Sequence, residues 1–200
     1  MGWCRAGKTE DAALQALVDY GARFAKAMGS LATDLKLPRR VSELDVVDRY
    51  EGDATTDFGA PGAIANSDRR DISTAELDRL IELLEASWQA FDSVAGAAEG
   101  KTLAPAGPRG GGRKLEKIRE HVSGADQGYT SAIGGRPPRG HDEWPAVQRT
   151  FIEVVRARVR GEVPDRGPRG GVRWPARYAM RRSAWHALDH AWEIEDRARS

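Results

Sequence analysis

Four long segments with regularly spaced apolar residues, all of them after residue 72, constrain the fold most strongly. In each segment apolar residues recur every three or four positions, which places their side chains on one face of an α-helix. Since each helix has one apolar face, such helices bury those faces by packing against one another. The sequence therefore predicts a four-helix bundle over residues 71–200. The expected helices cover about 73–96, 114–133, 143–160 and 175 to nearly 200.

Local signals mark where these helices begin and end. Ser73 and Glu76 have the spacing of a capping box, in which the serine hydroxyl binds the backbone amide of Glu76 and the glutamate reaches back. Pro175 is expected at the first position of the last helix, where its missing N–H costs nothing. Loops rich in glycine and proline separate the four segments.

Residues 1–70 contain one predicted helix and a weak strand signal rather than several long amphipathic helices, and they are predicted to form a small N-terminal appendage. One amphipathic helix is expected over about 10–28, with Thr9 as its N-cap. Several valines favour a short strand over 41–50, and a polar loop rich in Gly and Pro follows. The expected fold class is therefore mainly α, a four-helix bundle with a small N-terminal α(+β) appendage.

The composition excludes several classes of protein. The chain has 200 residues and one cysteine, Cys4, so it can form neither an internal disulfide framework nor a cysteine-based metal cluster. Its apolar runs are only a few residues long, which is too short to span a bilayer. The first residues contain no apolar stretch typical of a signal peptide. We therefore expect a cytoplasmic protein with no membrane partner.

The net charge of +1 conceals two halves of opposite sign. Residues 1–100 carry 11 Lys/Arg against 18 Asp/Glu, a balance of −7, and residues 101–200 carry 20 against 12, a balance of +8. A basic half is one signature of a nucleic-acid-binding protein. Here the arginines are dispersed or lie in Gly/Pro loops, so we favour electrostatic attraction between the two halves over a nucleic-acid partner.

Two of the four histidines lie four residues apart in the last predicted helix. At this spacing His186 and His190 project from the same face, about one turn apart. His121 lies beside the apolar stripe of another predicted helix, and it meets the pair if the two helices are neighbours. Three imidazoles with a fourth open position are typical of a catalytic zinc site, and nickel or iron(II) also accept imidazole. We therefore predict a divalent-metal site at these three histidines, with zinc or nickel as the metal.

Each histidine also has a simpler interpretation. A single histidine beside an apolar stripe is often hydrogen-bonded in the core rather than bound to a metal, and His141, in a glycine-rich loop, is expected to be exposed. Ala187 excludes the His-Glu-x-x-His motif of zinc proteases. Ser183 and Ala187 stand three residues before His186 and His190, so the Glu-x-x-His motif of di-iron bundles is absent as well.

Acidic residues near the histidines are candidates to orient them. Asp189 or Glu193 could accept a hydrogen bond from the ring N–H that does not face the metal, although a solvated or salt-bridged carboxylate is an equally good interpretation of either. The loop residues Asp57, Phe58 and His141 are candidates for the rim of a pocket.

The stretch from residue 73 to residue 199 resembles the DinB/YfiT-like superfamily. The resemblance rests on His121 in EHVSGADQGY and on His186 and His190 in RRSAWHALDHAWEIEDR. It implies a bacterial four-helix bundle that holds a divalent metal with these three histidines. It also implies a thiol-dependent S-transferase or isomerase that uses mycothiol or bacillithiol, or else a metal-dependent hydrolase.

A second, short resemblance concerns residues 1–28, where GWCRAGKTEDAALQAL is similar to the strand–turn–helix segment of HicB-like modules. The Gly, Cys, Lys and Thr residues that characterise this segment are spaced differently here. We therefore infer neither RNA binding nor an antitoxin function from it.

The histidines and the DinB-like resemblance together predict a metal-dependent enzyme with a small-molecule substrate. S-transfer from a low-molecular-weight thiol to a small electrophile is the first expectation and hydrolysis the second, because a bound cation lowers the pKa of a thiol or of water. The alternative is a non-catalytic bundle that acts in stress response or dimerisation. Trp185 and Trp192 would then anchor a partner, such as a second copy of the chain in a homodimer.

Overall fold

A computed structural model describes residues 1–57, 59–105, 112–138 and 143–198, except for the side chain of Asp57. The described part is mainly α-helical. The only β-pairing in it is an isolated antiparallel bridge between Arg166 and Val172. No described helix combines the length and the apolar character needed to cross a bilayer. The α-helices are α1 (Glu10–Asp19), α2 (Gly21–Met28), α3 (Ala54–Asp57), α4 (Thr74–Ala97), α5 (Leu115–Ala132), α6 (Trp144–Val159) and α7 (Ala176–Arg197).

The four long helices form where the apolar periodicity predicts them. The hydroxyl of Ser73 accepts a hydrogen bond from the backbone amide of Glu76 at 3.2 Å, so the serine N-cap of α4 is confirmed. The carboxylate of Glu76 has its pKa lowered first by Arg177 and also by the backbone amide of Ser73, so it interacts with the cap as predicted. It pairs with Arg177 at 2.5 Å as well, and this joins the beginning of α4 to the beginning of α7. Pro175 is the N-cap of α7, one position before the predicted place.

The N-terminal prediction needs two corrections. The single helix expected over 10–28 is divided at Tyr20, which caps α1 and precedes α2. The strand expected over 41–50 is wrong, because Val41–Glu43 form a 3-10 turn and the described part offers no neighbouring strand. Val47 is 77% exposed, so its β-branched side chain gains nothing from burial there. Without a partner strand, propensity alone does not form a β-strand.

Helix α7 lies at the centre of the fold, with 15 of its 22 residues buried. One side packs along α4 and also contacts α5 and α6. Small residues such as Ala184 and Ala187 are fully buried on α7 and let neighbouring segments come close to it, as the backbone of Gly2 does at Ala184. Large side chains such as Leu84 and Ile118 fill the spaces between the helices, and each contributes about 1.5–3 kcal/mol by leaving water.

The N-terminal segment covers the other side of α7. Leu188 and Trp192 of α7 form a second apolar cluster with Phe24 and Met28 of α2 and with Leu83 of α4. An ion pair also joins Arg23 of α2 to the end of α7. Helix α4 and the N-terminal segment therefore cover much of α7. The histidines of α7 face the remaining side, where α5 packs.

Candidate metal centre

Helices α5 and α7 bring the three predicted histidines to one point. The Nε2 atom of His186 lies 3.1 Å from Nε2 of His121 and 3.2 Å from Nε2 of His190. The three candidate ligand atoms all lie within 4.8 Å of one another. His186 and His190 share a face of α7 because four residues make about one helical turn. His121 joins them because α5 packs against that face.

The two distances at His186 fit pairs of imidazole nitrogens that share one metal ion. A zinc–nitrogen bond is about 2.0–2.1 Å long, so two nitrogens about 100° apart around one ion are separated by about 3.1–3.2 Å. The two Nε2–Nε2 distances at His186 have these values. A hydrogen-bonded histidine cluster fits the same distances only if one nitrogen of each close pair carries a proton and donates it.

Glu193 determines which nitrogen of His190 faces the centre. Its Oε2 atom lies 2.7 Å from Nδ1 of His190, and a carboxylate can only accept a hydrogen bond. Nδ1 of His190 therefore donates, and in the neutral ring the lone pair of Nε2 is directed towards the other histidines. Carboxylates commonly orient metal-binding histidines in this way.

Arg197 holds Glu193 in place. Its guanidinium lies 2.6 Å from Oε1 of Glu193 and also donates to the backbone carbonyl oxygens of Ala104 and Arg113. Burial opposes the charged form of Glu193, but the hydrogen bonds from His190 and Arg197 prevail and lower the pKa of this carboxyl group. Glu193 is therefore an ionised and fixed acceptor beside the histidines.

Burial keeps two of the rings neutral. Burial first, and then the neighbouring His190 and His121, hold the pKa of His186 well below its ordinary value. Burial first, followed by His190, lowers the pKa of His121 as well. The neutral imidazole is the form that binds a metal. Nδ1 of His186 is buried without a hydrogen-bond partner among the described residues. No described residue therefore orients the ring of His186 as Glu193 orients that of His190.

The remaining predicted site residues have different outcomes. Asp189, on the same helix, pairs through its carboxylate with Arg5 of the N-terminal segment at 2.5 Å. This is the salt-bridged alternative that the sequence left open for Asp189. Asp57 is the last residue of α3, and its side chain lies outside the described part. Phe58 and His141 lie outside the described residues altogether.

An aromatic and cationic group beside the triad was missed by the sequence analysis. The guanidinium carbon of Arg182 lies 5.7 Å from the ring centre of Tyr129 and 5.3 Å from that of Trp185. The ring of Tyr129 is in turn 6.2 Å from that of His186. The spacing of Arg182, four residues before His186, is a signal that could have identified this arginine.

The two tryptophans of α7 are core residues. Trp185 is 8% exposed and Trp192 is 4% exposed. The ring of Trp192 lies 5.2 Å from that of Tyr20, so the N-terminal segment covers it.

Burial raises the pKa of the Cys4 thiol, which makes this cysteine a weak nucleophile.

Two surface cavities lie away from the histidines. One is a groove of about 610 Å³ between α2, α4 and α7, and the other, of about 650 Å³, lies beside residues 98–103. None of the three histidines is part of their described walls.

Comparisons with protein-family models, with curated proteins and with solved structures find no match to this chain. The geometry of the histidines therefore carries the functional argument.

Proposed function

We propose that this protein is a divalent-metal-dependent enzyme of the DinB-like kind, with His121, His186 and His190 as the metal ligands and zinc or nickel as the metal. One observation carries the proposal, namely the approach of Nε2 of His186 to within 3.1 and 3.2 Å of the corresponding atoms of the other two rings. Three converging Nε2 atoms on two different helices form a site that a cation satisfies with all three lone pairs.

The proposal includes a DinB-like four-helix bundle made by α4, α5, α6 and α7. Three observations support it: α7 packs along α4, α5 packs against both α6 and α7, and Trp88 of α4 touches the ring of Phe151 in α6 at 5.8 Å. Trp88 also donates a hydrogen bond to Asp126 of α5 at 2.9 Å. The metal centre would then lie between two neighbouring helices of the bundle.

A cation held by these histidines would supply a thiolate or a hydroxide near neutral pH, because it lowers the pKa of a bound thiol or water. The chain's own residues set the conditions for this chemistry. His186 is 7% exposed, whereas His121 is half-buried, so the triad is more accessible on the α5 side. A small molecule would approach the metal from there.

S-transfer from a low-molecular-weight thiol is the preferred reaction and hydrolysis the second. Glu193, the carboxylate that contacts the triad, already binds His190 and Arg197. A general base must be able to take a proton from water, and Glu193 is committed to orienting a ring. A thiol needs no further base once its pKa is lowered, so the site suits a thiolate attacking a small electrophile.

We also propose a cytoplasmic protein with a small molecule as its partner, rather than a nucleic acid. Six partly buried arginines are engaged in ion pairs within the chain, which leaves fewer positive charges for phosphate contacts. These arginines are Arg5, Arg23, Arg158, Arg177, Arg181 and Arg197.

Metal stoichiometry tests the proposed ligand set. After loading with zinc or nickel and removal of free metal, wild-type protein should retain about one equivalent, and His186→Ala should retain less than about a tenth. His141→Ala is the matched control, since it removes a histidine that the proposal does not use. Equal occupancy in wild type and His186→Ala would refute the ligand set.

Turnover tests the reaction. Metal-loaded protein is incubated with mycothiol or bacillithiol and a small alkylating electrophile, and loss of thiol is followed over the uncatalysed rate. We expect a rate that depends on both metal and thiol and that His186→Ala abolishes. Consumption of an ester or amide without thiol would instead identify the hydrolase, and no rate with any of these substrates would count against both reactions.

A further inference from the structure

Arg182 differs in its ion pairing from the other arginines whose side chains are largely removed from water. Six arginines whose side chains are at most 27% exposed each pair with a carboxylate of the chain. Arg182 pairs with none among the described residues, and its Nε and Nη1 atoms are buried without hydrogen-bond partners. A buried charge is costly unless it is paired, so a guanidinium with no ion-pair partner among the described residues is suited to an anionic ligand.

Aromatic rings surround this cation. The guanidinium carbon lies 5.7 Å from the ring centre of Tyr129 and 5.3 Å from that of Trp185. Burial raises the pKa of the Tyr129 hydroxyl, and the nearby charge of Arg182 opposes this rise. The rings hold the guanidinium by cation–π contact and keep water away, which strengthens its attraction for an anion. Nε1 of Trp185 is a further buried donor without a partner in the described part.

The cation lies beside the metal centre. Arg182, His186 and His190 follow one another at four-residue intervals on α7, so they share a face, and Arg182 is about 6 Å along the axis from His186. Tyr129 occupies the corresponding place on α5, two turns after His121. Its ring lies 6.2 Å from that of His186, so the two aromatic rings around Arg182 and the triad are neighbours at the contact between α5 and α7.

We propose that Arg182 binds the carboxylate of the small molecule that reaches the metal, so that the site selects substrates or thiols with a carboxylate a few bonds from the metal-binding atom. This inference rests on the proposed function, since the metal would hold the other end of the ligand. A carboxylate supplies both the negative charge and the acceptors that Arg182 lacks. A neutral molecule of the same size leaves the guanidinium unpaired.

The first experiment uses the full chain loaded with Co²⁺, whose visible spectrum reports a thiolate entering the metal's open position. The probes are 3-mercaptopropionate and its neutral amide, 3-mercaptopropionamide. We expect wild-type protein to bind the carboxylate about tenfold or more tightly than the amide. In Arg182→Met this preference should fall to about one, while Co²⁺ stoichiometry and affinity for the amide stay unchanged.

Two further variants separate a specific contact from a general field. Arg113→Met removes an exposed arginine whose charge also reaches His121 and His186, and it should keep the preference for the carboxylate. Arg182→Lys retains the positive charge and should keep part of the preference for the carboxylate. This variant replaces Arg182→Met if Arg182→Met does not fold. A preference that is lost in Arg113→Met and kept in Arg182→Met would overturn the proposal, as would equal binding of both probes by wild type.

A second experiment separates this proposal from the proposed metal site. Metal-free wild type and Arg182→Lys or Arg182→Met are titrated calorimetrically with 3-mercaptopropionate. Binding that depends on Arg182 in a protein that fails to load metal would support the carboxylate site and refute the metal centre. A protein that loads one equivalent of Co²⁺ but shows no dependence on Arg182 in either experiment would retain the metal centre and refute the carboxylate site.

Discussion

His121 and His186, separated by 65 positions in the chain, place their Nε2 atoms 3.1 Å apart across the contact between α5 and α7. Two neutral imidazoles at this distance either share one proton or share a cation. His190 adds a third nitrogen on the same side, 3.2 Å from that of His186. The behaviour of the protein on metal loading follows from this arrangement.

Metal loading should stabilise the folded protein, because the three nitrogens converge only when α5 and α7 are packed together. At a free zinc concentration 100 times the dissociation constant, the gain is about 2.7 kcal/mol, or roughly 5–10 °C in Tm. Thermal unfolding with and without zinc, followed by circular dichroism, measures it. His121→Ala should lose the shift and His141→Ala should keep it. An equal shift in both variants would place the bound metal elsewhere.

Replacing Glu193 by Gln should weaken metal binding by about 10–100-fold, the range found when a group that orients a metal-binding histidine is removed. The amide no longer carries the charge that favours Nδ1–H on His190. Competition with a chromophoric chelator measures the affinity. The matched control is Glu195→Gln, since Glu195 binds Arg23 and Lys26 away from the triad. Equal affinity in wild type and Glu193→Gln would argue against the orienting role.

Asp126 should make stability fall as the pH rises towards neutrality. Burial raises its pKa to about 7, although hydrogen bonds from Ser183 and Trp88 favour the carboxylate. The folded protein therefore holds a proton between about pH 4 and 7 that the unfolded chain has released, and stability decreases with pH across that window. Asp126→Asn removes this proton. Compared with the variant, wild type should lose up to about 4 kcal/mol from pH 4 to pH 7.

Urea denaturation of both proteins at a series of pH values tests this prediction. The difference between their free energies of unfolding cancels the contributions of the histidines, which both proteins share. A difference that is constant from pH 4 to pH 8 would show that Asp126 ionises normally in the fold.

The buried ion pair between Asp68 and Arg181 should matter more than an exposed one. Asp68 is 2% exposed in its side chain and contacts Arg181 at 2.5 Å, which attaches the segment before α4 to α7. Asp68→Asn leaves Arg181 without its counter-charge and should cost about 2–4 kcal/mol. The control is Asp78→Asn, whose exposed pair with Arg156 should contribute at most about 1 kcal/mol. Urea denaturation at pH 7 compares them, and equal losses would contradict the argument.

The sequence by itself determined the elements that depend on neighbours along the chain. The four-residue interval between His186 and His190 places both rings on one face of any helix that contains them. The apolar stripes predict α4 to α7 for the same reason, and Ser73 caps α4 through an amide only three residues away. The strand over 41–50 failed because a strand depends on a partner that local sequence does not provide.

Only the tertiary structure decided what each of these faces meets. Glu193 stands three residues after His190, and Asp189 stands three residues after His186, so local spacing does not distinguish them. Packing of the N-terminal segment brings Arg5 to Asp189, and this leaves Glu193 as the carboxylate that orients a ring. The meeting of His121 with the pair on α7 has the same origin. Contacts between helices depend on how whole faces pack, and that is a property of the complete fold rather than of any one segment.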